Sequence, residues 1–149
     1  MITVRKAIKS DIPDIICLVK ELALFEKLAN EVTVTEEDYL INGFMDNPLY
    51  GCNLAFFDGK LAAFSLWYFR FSTWKGKRLY LEDLYVKEDY RGFGIGKILL
   101  NTAIDEARLC NCSGLMWQVL DWNTSAIEFY KKFNANLDGE WINVNLNIK

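Results

Sequence analysis

Two apolar segments joined by a tight turn constrain the fold of this chain more than any other feature of its sequence. Residues 52–57 and 60–71 are rich in aliphatic and aromatic side chains, and Asp58-Gly59 lies between them. An Asp-Gly pair in this setting is typical of a two-residue β-hairpin loop, which needs positive φ angles. A third apolar run, residues 79–86, follows. The sequence therefore predicts a hairpin and a third strand of the same sheet.

The segments on either side alternate between helix and strand patterns. A helix start is indicated at Ser10-Asp11-Ile12-Pro13, because proline is favourable in a first helical turn. Thr35 predicts a second start, since its hydroxyl caps a first turn rich in acidic residues, and this helix should end near Pro48. The other predicted elements are a strand over 2–8, a helix from Ile95 to Ala107, a strand over 115–120, a helix over 126–133 and an alternating strand over 142–148. The order βααβββαβαβ predicts an α/β fold, a mixed sheet with helices on both faces.

The chain has no histidine. This excludes Ser-His-Asp and Cys-His nucleophile systems and histidine-ligated metals, so acid–base chemistry must fall to Glu, Asp, Tyr, Lys or Cys. The four cysteines form no C-x-x-C pair. We therefore expect reduced thiols and no metal site.

Length and charge limit the partners. A chain of 149 residues that is 52% hydrophobic is expected to fold as a single domain over 1–149. Its net charge of −3 gives no reason to expect nucleic acid and suits a cationic partner. The longest apolar run, residues 61–69, falls far short of the roughly 20 residues that cross a bilayer. With no targeting segment at the N-terminus, we expect a cytoplasmic protein without a membrane partner.

A glycine-rich segment between a predicted strand and a predicted helix is the most informative motif. It reads Tyr90-Arg91-Gly92-Phe93-Gly94-Ile95-Gly96-Lys97. Glycines let the backbone approach a ligand, and free N–H groups at a helix N-terminus favour an anion. The G-x-G-x-G spacing differs from those of dinucleotide folds and P-loops. We predict a phosphate-binding loop; an ordinary turn that caps the helix is the alternative.

The same segment resembles the pyrophosphate motif of the GNAT N-acetyltransferases. The pattern Val86-x4-Arg91-Gly92-x-Gly94-x-Gly96 is followed at the family's distance by Asn123 and by Phe129-Tyr130-Lys131-Lys132. More narrowly, the chain is similar over nearly its whole length to spermidine/spermine (diamine) N-acetyltransferases. The segments that carry this narrower likeness are Lys20-Glu21-Leu22-Ala23, Phe25-Glu26, Tyr80-Leu81-Glu82-Asp83 and Trp122-Asn123. The resemblance implies the GNAT fold, with a mixed, mostly antiparallel sheet, and acetyl-CoA as co-substrate.

The resemblance also implies cofactor-binding positions. A strand holds the pantetheine arm, loop amides hold the pyrophosphate, and a later helix faces the adenosine and thiol. The matching residues are Leu84, Tyr85 and Val86 on the strand, Arg91, Gly92, Phe93, Gly94, Ile95, Gly96 and Lys97 in the loop, and Asn123, Ala126 and Tyr130 near the later helix. Lys97, Ala126 and Asn134 depart from the residues usual in the family.

Two residues are candidates for catalysis. An alkylammonium of pKa about 10.4 must lose a proton before it attacks a thioester, and Glu82 is the candidate base. Burial beside Asp83 is expected to raise the pKa of Glu82. Tyr130 is the candidate acid for the leaving thiolate. The alternatives are a solvated Glu-Asp pair at a sheet edge and a tyrosine packed beside Phe129.

The acceptor is expected to be the primary amine of a small di- or polyamine, attacking directly in a ternary complex. The candidate substrate residues are Glu26, Trp74, Glu82 and Asp83, although an acidic run is also typical of a solvated helix face. Other amines remain open as acceptors, namely a lysine analogue, a protein N-terminus or an aminoglycoside. A CoA-binding module without turnover is a further alternative. The exposed aromatic strands and the resemblance together suggest a homodimer.

Overall fold

The computed structural model describes residues 1–148, which divide into two compact units, residues 1–118 and residues 119–148. The first unit contains β1 (Ile2–Lys6), α1 (Ile12–Phe25), α2 (Glu36–Gly43), β2 (Gly51–Phe57), β3 (Lys60–Ser72), β4 (Gly76–Val86), α3 (Ile95–Leu109) and β5 (Leu115–Met116). The second contains α4 (Thr124–Lys131). One acetyltransferase domain over the whole chain stays a prediction.

The strands form one sheet in the order β1-β2-β3-β4-β5. All neighbours are antiparallel except β4 and β5, which are parallel. The predicted hairpin is confirmed, with Asp58 and Gly59 at φ 47° and 78° between β2 and β3. The expected mixed, mostly antiparallel sheet is therefore present.

Helices cover both faces of the sheet. Ile15 and Leu18 of α1 pack with Leu54 of β2, whereas Leu99 of α3 packs with Ala55. Leu54 and Ala55 are adjacent on one strand, so they point to opposite faces. Each of these five residues is completely buried, and α1 and α3 thus build two separate apolar layers.

The helix starts follow local chemistry. Pro13 lies in the first turn of α1, as predicted. The Thr35 hydroxyl accepts a hydrogen bond from the Asp38 amide at 3.2 Å, and the Asp38 carboxylate accepts one from the Thr35 amide at 2.8 Å. This capping box confirms the predicted start of α2. The expected end near Pro48 is wrong, because α2 stops at Gly43, where a larger residue would overlap the Tyr50 ring.

Beyond the start of β2, β3 pairs with β4 alone, and among the described residues β5 joins β4 only at Leu79 and Tyr80. Gly51, the first residue of β2, pairs with Trp67 of β3, and β3 continues to Ser72. Residues 68–72 pair only with residues 76–80 of β4. We call residues 68–80 the β3–β4 ribbon.

The sequence overestimates strand content toward the C-terminus. Only Leu115–Met116 of the predicted strand over 115–120 pairs with the sheet. The predicted strand over 142–148 is wrong, since its residues have no helix or strand structure. Its apolar residues are 86–90% exposed (Ile142, Val144, Leu146 and Ile148). Alternation defines an apolar face but supplies no neighbouring strand, and no described residue pairs with this segment.

Within the described residues, no helix has both the length and the apolar character that crossing a membrane requires. The same residues contain no group of three or more Cys, Asp or Glu side chains placed to hold a metal ion.

Candidate active site

The glycine-rich segment forms an open loop at the start of α3. Gly94 is the N-cap residue of α3, and no side chain caps the helix. Gly92 and Gly94 both have φ +84°, and no atom lies within 4 Å of the position of an added Cβ at either residue. The uncapped amides of a 15-residue helix are therefore approachable, as an anion site requires. The backbone fits a bound pyrophosphate.

Two side chains anchor this loop. Phe93 packs against Phe57 of β2, with 4.8 Å between ring centroids and an angle of 54° between the ring planes. Ile95 is 1% exposed and packs with Ala55, Ala62 and Ala63 of the sheet. The predicted role of Ile95 in cofactor binding therefore concerns its amide, since its side chain is buried, whereas Phe93 remains 56% exposed. Lys97 is exposed on the first turn of α3.

The strand that leads to the loop has a backbone edge without a strand partner. Leu84, Tyr85 and Val86 pair with β3 on one side. On the other side β4 pairs with β5 only at Leu79 and Tyr80, among the residues that the structure describes. This edge carries no strand that would block an extended ligand arm, which suits the predicted pantetheine contact, although the Val86 carbonyl already accepts a hydrogen bond from Arg91.

A β-bulge in β4 places both candidate carboxylates in one cavity. Leu66 pairs with Asp83 but Trp67 pairs with Leu81, so Glu82 is the extra residue. Adjacent strand residues normally point to opposite faces, and a bulge changes that direction. Glu82 and Asp83 both line the same cavity.

We call this cavity the acceptor cavity, after the predicted role of Glu82 and Asp83 in binding the acceptor. It has a volume of about 520 Å³, and four acidic residues line it. Its lining comprises Val19, Glu31, Val32, Thr33, Val34, Asp38, Tyr39, Asn42, Leu49, Tyr50, Leu66, Glu82 and Asp83. A smaller cavity of about 210 Å³ shares Asp83 with it and adds Glu26. None of the described residues that line either cavity is a lysine or an arginine. Acidic groups on apolar walls favour a cation with an alkyl chain.

Of the two adjacent carboxylates, Glu82 and Asp83, the one that is largely removed from solvent is Asp83. Desolvation raises the pKa of Asp83 to about 7, and the negative charges of Glu82 and Glu26 add to the effect. Burial also raises the pKa of Glu26. The expectation that Glu82 is buried is wrong, because this bulged residue is exposed. The raised pKa lets Asp83 change its charge near neutral pH, and a bound ammonium would favour its charged form.

Trp74 lies apart from both cavities. It occupies the tip of the β3–β4 ribbon and is 83% exposed. It is absent from the described residues that line either cavity. The structure thus brings Glu26, Glu82 and Asp83 together and leaves Trp74 outside.

The second unit presents the other predicted residues on or beside α4. The Asn123 Oδ1 accepts a hydrogen bond from the Ala126 amide at 3.3 Å and so caps the helix. Tyr130 is half-buried, and its ring centroid lies 5.4 Å from that of Phe129. Asn134 adopts a left-handed φ of 57°, a conformation that asparagine tolerates.

Sequence reasoning missed two tyrosines of the acceptor cavity. The Tyr50 hydroxyl donates a hydrogen bond to the Tyr39 carbonyl at 2.7 Å, and their rings meet edge to face. Burial raises the pKa of Tyr39 to about 12 and also raises that of Tyr50. Both phenols therefore stay neutral near pH 7. The only indication of this pair in the sequence was the position of Tyr39, one turn after the Thr35 cap of a predicted helix.

The fold and the cavity together define a class of protein. A backbone anion site at the end of β4 lies a few residues from carboxylates on the same strand, which suits an enzyme that joins a phosphate-bearing group carrier to a cationic acceptor.

Comparison with known proteins specifies that class. Residues 19–135 match the acetyltransferase (GNAT) family model. Thialysine N-epsilon-acetyltransferase of Bos taurus is 39% identical over 142 residues, which are 90% of this chain and 84% of that protein. The chain therefore belongs to the acetyltransferase (GNAT) family, and it is an N-acetyltransferase.

Further relatives agree with this assignment. Spermidine/spermine N(1)-acetyltransferase-like protein 1 of Homo sapiens is 38% identical over 89% of this chain, which is 20% of that protein. The crystal structure of an aminoglycoside acetyltransferase from an uncultured soil metagenomic sample has a TM-score of 0.80 at 16% identity. It covers 99% of this chain and 97% of that chain, and at this identity it supports the fold alone.

Proposed function

We propose that this chain transfers the acetyl group of acetyl-CoA to a primary amine of a small di- or polyamine. The observation that carries this proposal is the acceptor cavity, whose described lining residues include four acidic residues and no lysine or arginine. The family uses acetyl-CoA, and the open amides of residues 92–97 suit its pyrophosphate. A donor arm along Leu84–Val86 would end beside Glu82, since a strand advances about 3.3 Å per residue.

The residues of the chain divide the proton transfers between them. Glu82 takes the proton of the ammonium, directly or through water, and frees the nitrogen lone pair for attack. The free amine forms the new C–N bond at the thioester carbonyl in a ternary complex, and collapse of the tetrahedral intermediate breaks the C–S bond. Tyr130 supplies a proton to the leaving sulfur, and the second proton that the nitrogen loses as the amide forms returns through water to the Tyr130 phenolate. Asp83 and Glu26 hold the positive charge of the acceptor.

Two relatives point to different acceptors. The name of the Bos taurus protein specifies thialysine, an amino acid, whereas that of the human protein specifies spermidine and spermine. An amino acid would bring its own carboxylate toward Glu31, Asp38 and Asp83 without a cation in the described lining to meet it. Like charges at close range are unfavourable. We therefore favour a diamine over an amino acid.

Thiol release from acetyl-CoA tests this proposal with a matched pair of amines. Cadaverine and lysine differ only by the α-carboxylate, so the pair isolates its effect. We expect kcat/KM to be about tenfold or more higher for cadaverine, which corresponds to about 1.4 kcal/mol. A preference for lysine or thialysine would assign an amino-acid acceptor instead.

Spermidine, an aminoglycoside and a peptide with a free N-terminus complete the panel. If only the aminoglycoside or only the peptide is acetylated, that compound identifies the class of acceptor instead. Tight CoA binding without thiol release for any amine would indicate a binding module. The homodimer and the cytoplasmic location stay predictions.

A further inference from the structure

Arg91, the first cation of the glycine loop, is engaged with helix α1. Its Nε donates a hydrogen bond to the Val86 carbonyl oxygen at 3.0 Å. Its guanidinium carbon lies 5.0 Å from the Phe25 ring centroid and 5.8 Å from that of Tyr85. Both distances are within the range of about 6 Å for cation–π contacts. Arg91 therefore joins the start of the loop, the end of β4 and the last residue of α1.

The same end of α1 forms a wall of the acceptor site. Glu26 directly follows Phe25 and lines the smaller cavity with Asp83. The Glu26 amide donates to the Leu22 carbonyl at 2.9 Å, and the Leu28 amide donates to the Ala23 carbonyl at 2.8 Å. A displacement of Phe25 would disturb this last turn and move Glu26.

A second set of contacts holds α1 on β4 one turn earlier. The Tyr85 hydroxyl donates to Glu21 Oε2 at 3.4 Å, and Lys87 Nζ lies 3.7 Å from Glu21 Oε1. Tyr85 also lies against Arg91, so the two sets of contacts share this residue of β4. The contact with Phe25 is the one by which Arg91 reaches the last turn of α1.

We propose that Arg91 is a positioning residue that couples the donor site to the acceptor cavity. An anion on the loop amides fixes the loop, the loop holds Arg91 on Phe25, and Phe25 keeps the last turn of α1 and Glu26 in place. Binding of the first substrate orders these groups and lowers their conformational entropy. The second substrate then binds more tightly, because it does not have to order them again. Linkage requires the reverse effect to be equal. This inference rests on the proposed function, which takes the loop as the donor's phosphate site.

Amide hydrogen exchange with CoA as the probe tests the coupling without an acceptor. In the wild type, saturating CoA should protect residues 95–98 and also slow exchange at residues 26–28 by about fivefold or more. Phe25→Leu removes the ring face but keeps apolar bulk, and Arg91→Met removes the cation and the donor. In both variants CoA should protect residues 95–98 and leave residues 26–28 unchanged. Arg108→Met is the matched control, because it removes an exposed cation in the last turn of α3, outside the predicted cofactor-binding residues, and it should keep the effect at saturating CoA.

Each other outcome overturns the coupling. Equal protection of residues 26–28 in Phe25→Leu or Arg91→Met would show that Arg91 does not transmit the effect. Its loss in Arg108→Met would show that the effect depends on the total charge of the protein and not on the contact between Arg91 and Phe25. Protection of the loop without any change at residues 26–28 in the wild type would remove the coupling and leave the proposed function standing. Protection of neither region would remove both.

Discussion

The glycine loop and the acceptor cavity lie along one strand, yet they present different chemical groups, backbone amides in the loop and side-chain carboxylates in the cavity. The loop offers backbone amides around two left-handed glycines, Gly92 and Gly94. The cavity offers side-chain carboxylates from α2, β4 and the segment between α1 and α2. A backbone site arises from one contiguous segment, whereas a side-chain site requires the whole fold. The predicted donor site is therefore formed by residues that are neighbours in the sequence, whereas the predicted acceptor site is formed by residues that only the fold brings together.

The two regions also differ in their response to pH. Backbone amides do not titrate, so binding at the loop should vary little near pH 7. Asp83, with a pKa of about 7, changes charge in that range. Donor and acceptor affinities should therefore separate when the pH is varied.

The largest effect is expected for Tyr130→Phe, a change outside both regions. Removing a general acid typically lowers the rate by about 100-fold or more. We expect that loss in kcat with CoA affinity unchanged, measured by thiol release and by calorimetry. Tyr90→Phe removes a phenol at the turn before the loop and should change kcat less than about twofold. An unchanged kcat in Tyr130→Phe would remove Tyr130 as the acid.

Glu82→Gln should be nearly as severe, and it tests the chemistry at the bulge. The amide keeps the size of the side chain but accepts no proton, so kcat/KM should fall by about 100-fold and its rise with pH should flatten. Glu37→Gln, on the exposed first turn of α2, is the matched control and should keep the wild-type profile. A wild-type profile in Glu82→Gln would place the base elsewhere.

Gly94→Ala tests whether the loop acts through its backbone. A non-glycine residue in the left-handed region costs about 1–2 kcal/mol, which is about 5- to 30-fold in CoA affinity if the loop relaxes. The control is Gly59→Ala, which places the same strain at φ +78° in the hairpin turn and should lower stability without changing CoA affinity. Equal CoA affinity in Gly94→Ala and the wild type would contradict a backbone site.

Asp83→Asn should have the smallest effect on activity and the clearest pH signature. Losing one charge contact in the cavity should raise the amine KM about fivefold at pH 8, with CoA affinity unchanged. In the wild type, KM should rise as the pH falls below about 7, because Asp83 becomes protonated. The variant should lack that rise, and persistence of the full rise would assign it to another group.

The same variant has a predicted effect on stability. The pKa of Asp83 is about 7 in the folded chain and about 3.9 when unfolded, so the unfolded state binds fewer protons between pH 4 and 7. The contribution of Asp83 to stability therefore falls as the pH rises through this window. Asp83→Asn should have a higher Tm than the wild type at pH 8, and the difference should shrink toward pH 4. A lower Tm at pH 8 would contradict a desolvated carboxylate.

Local signals predicted most of the fold. The Asp-Gly turn and the Thr35 cap are each encoded within a few residues, and both were found as expected. The glycine segment lies between a strand and a helix as expected, and its binding of phosphate stays a prediction. The segment over 142–148 shows the limit of such signals, because a strand also needs a neighbouring edge. Alternation carries no information about that edge.

In the candidate site, too, the sequence indicated individual residues but not the contacts that depend on the fold. Asp83 and Glu26 were expected near the acceptor, and both line cavities. The exposed bulge at Glu82 was not foreseen, because it depends on how Leu66 and Trp67 pair across β3 and β4. Tyr39 and Tyr50 were missed because their contact joins α2 to the segment before β2.

The β3–β4 ribbon gives the molecule a strong electric asymmetry. Residues 70–78 include four cations, Arg70, Lys75, Lys77 and Arg78, and no acidic residue. The chain as a whole has a net charge of −3, so the remaining residues carry −7. A small polycation is repelled by the ribbon and attracted toward the carboxylates before any contact forms. Its capture should slow as added salt shortens the screening length, which is about 10 Å at 0.1 M.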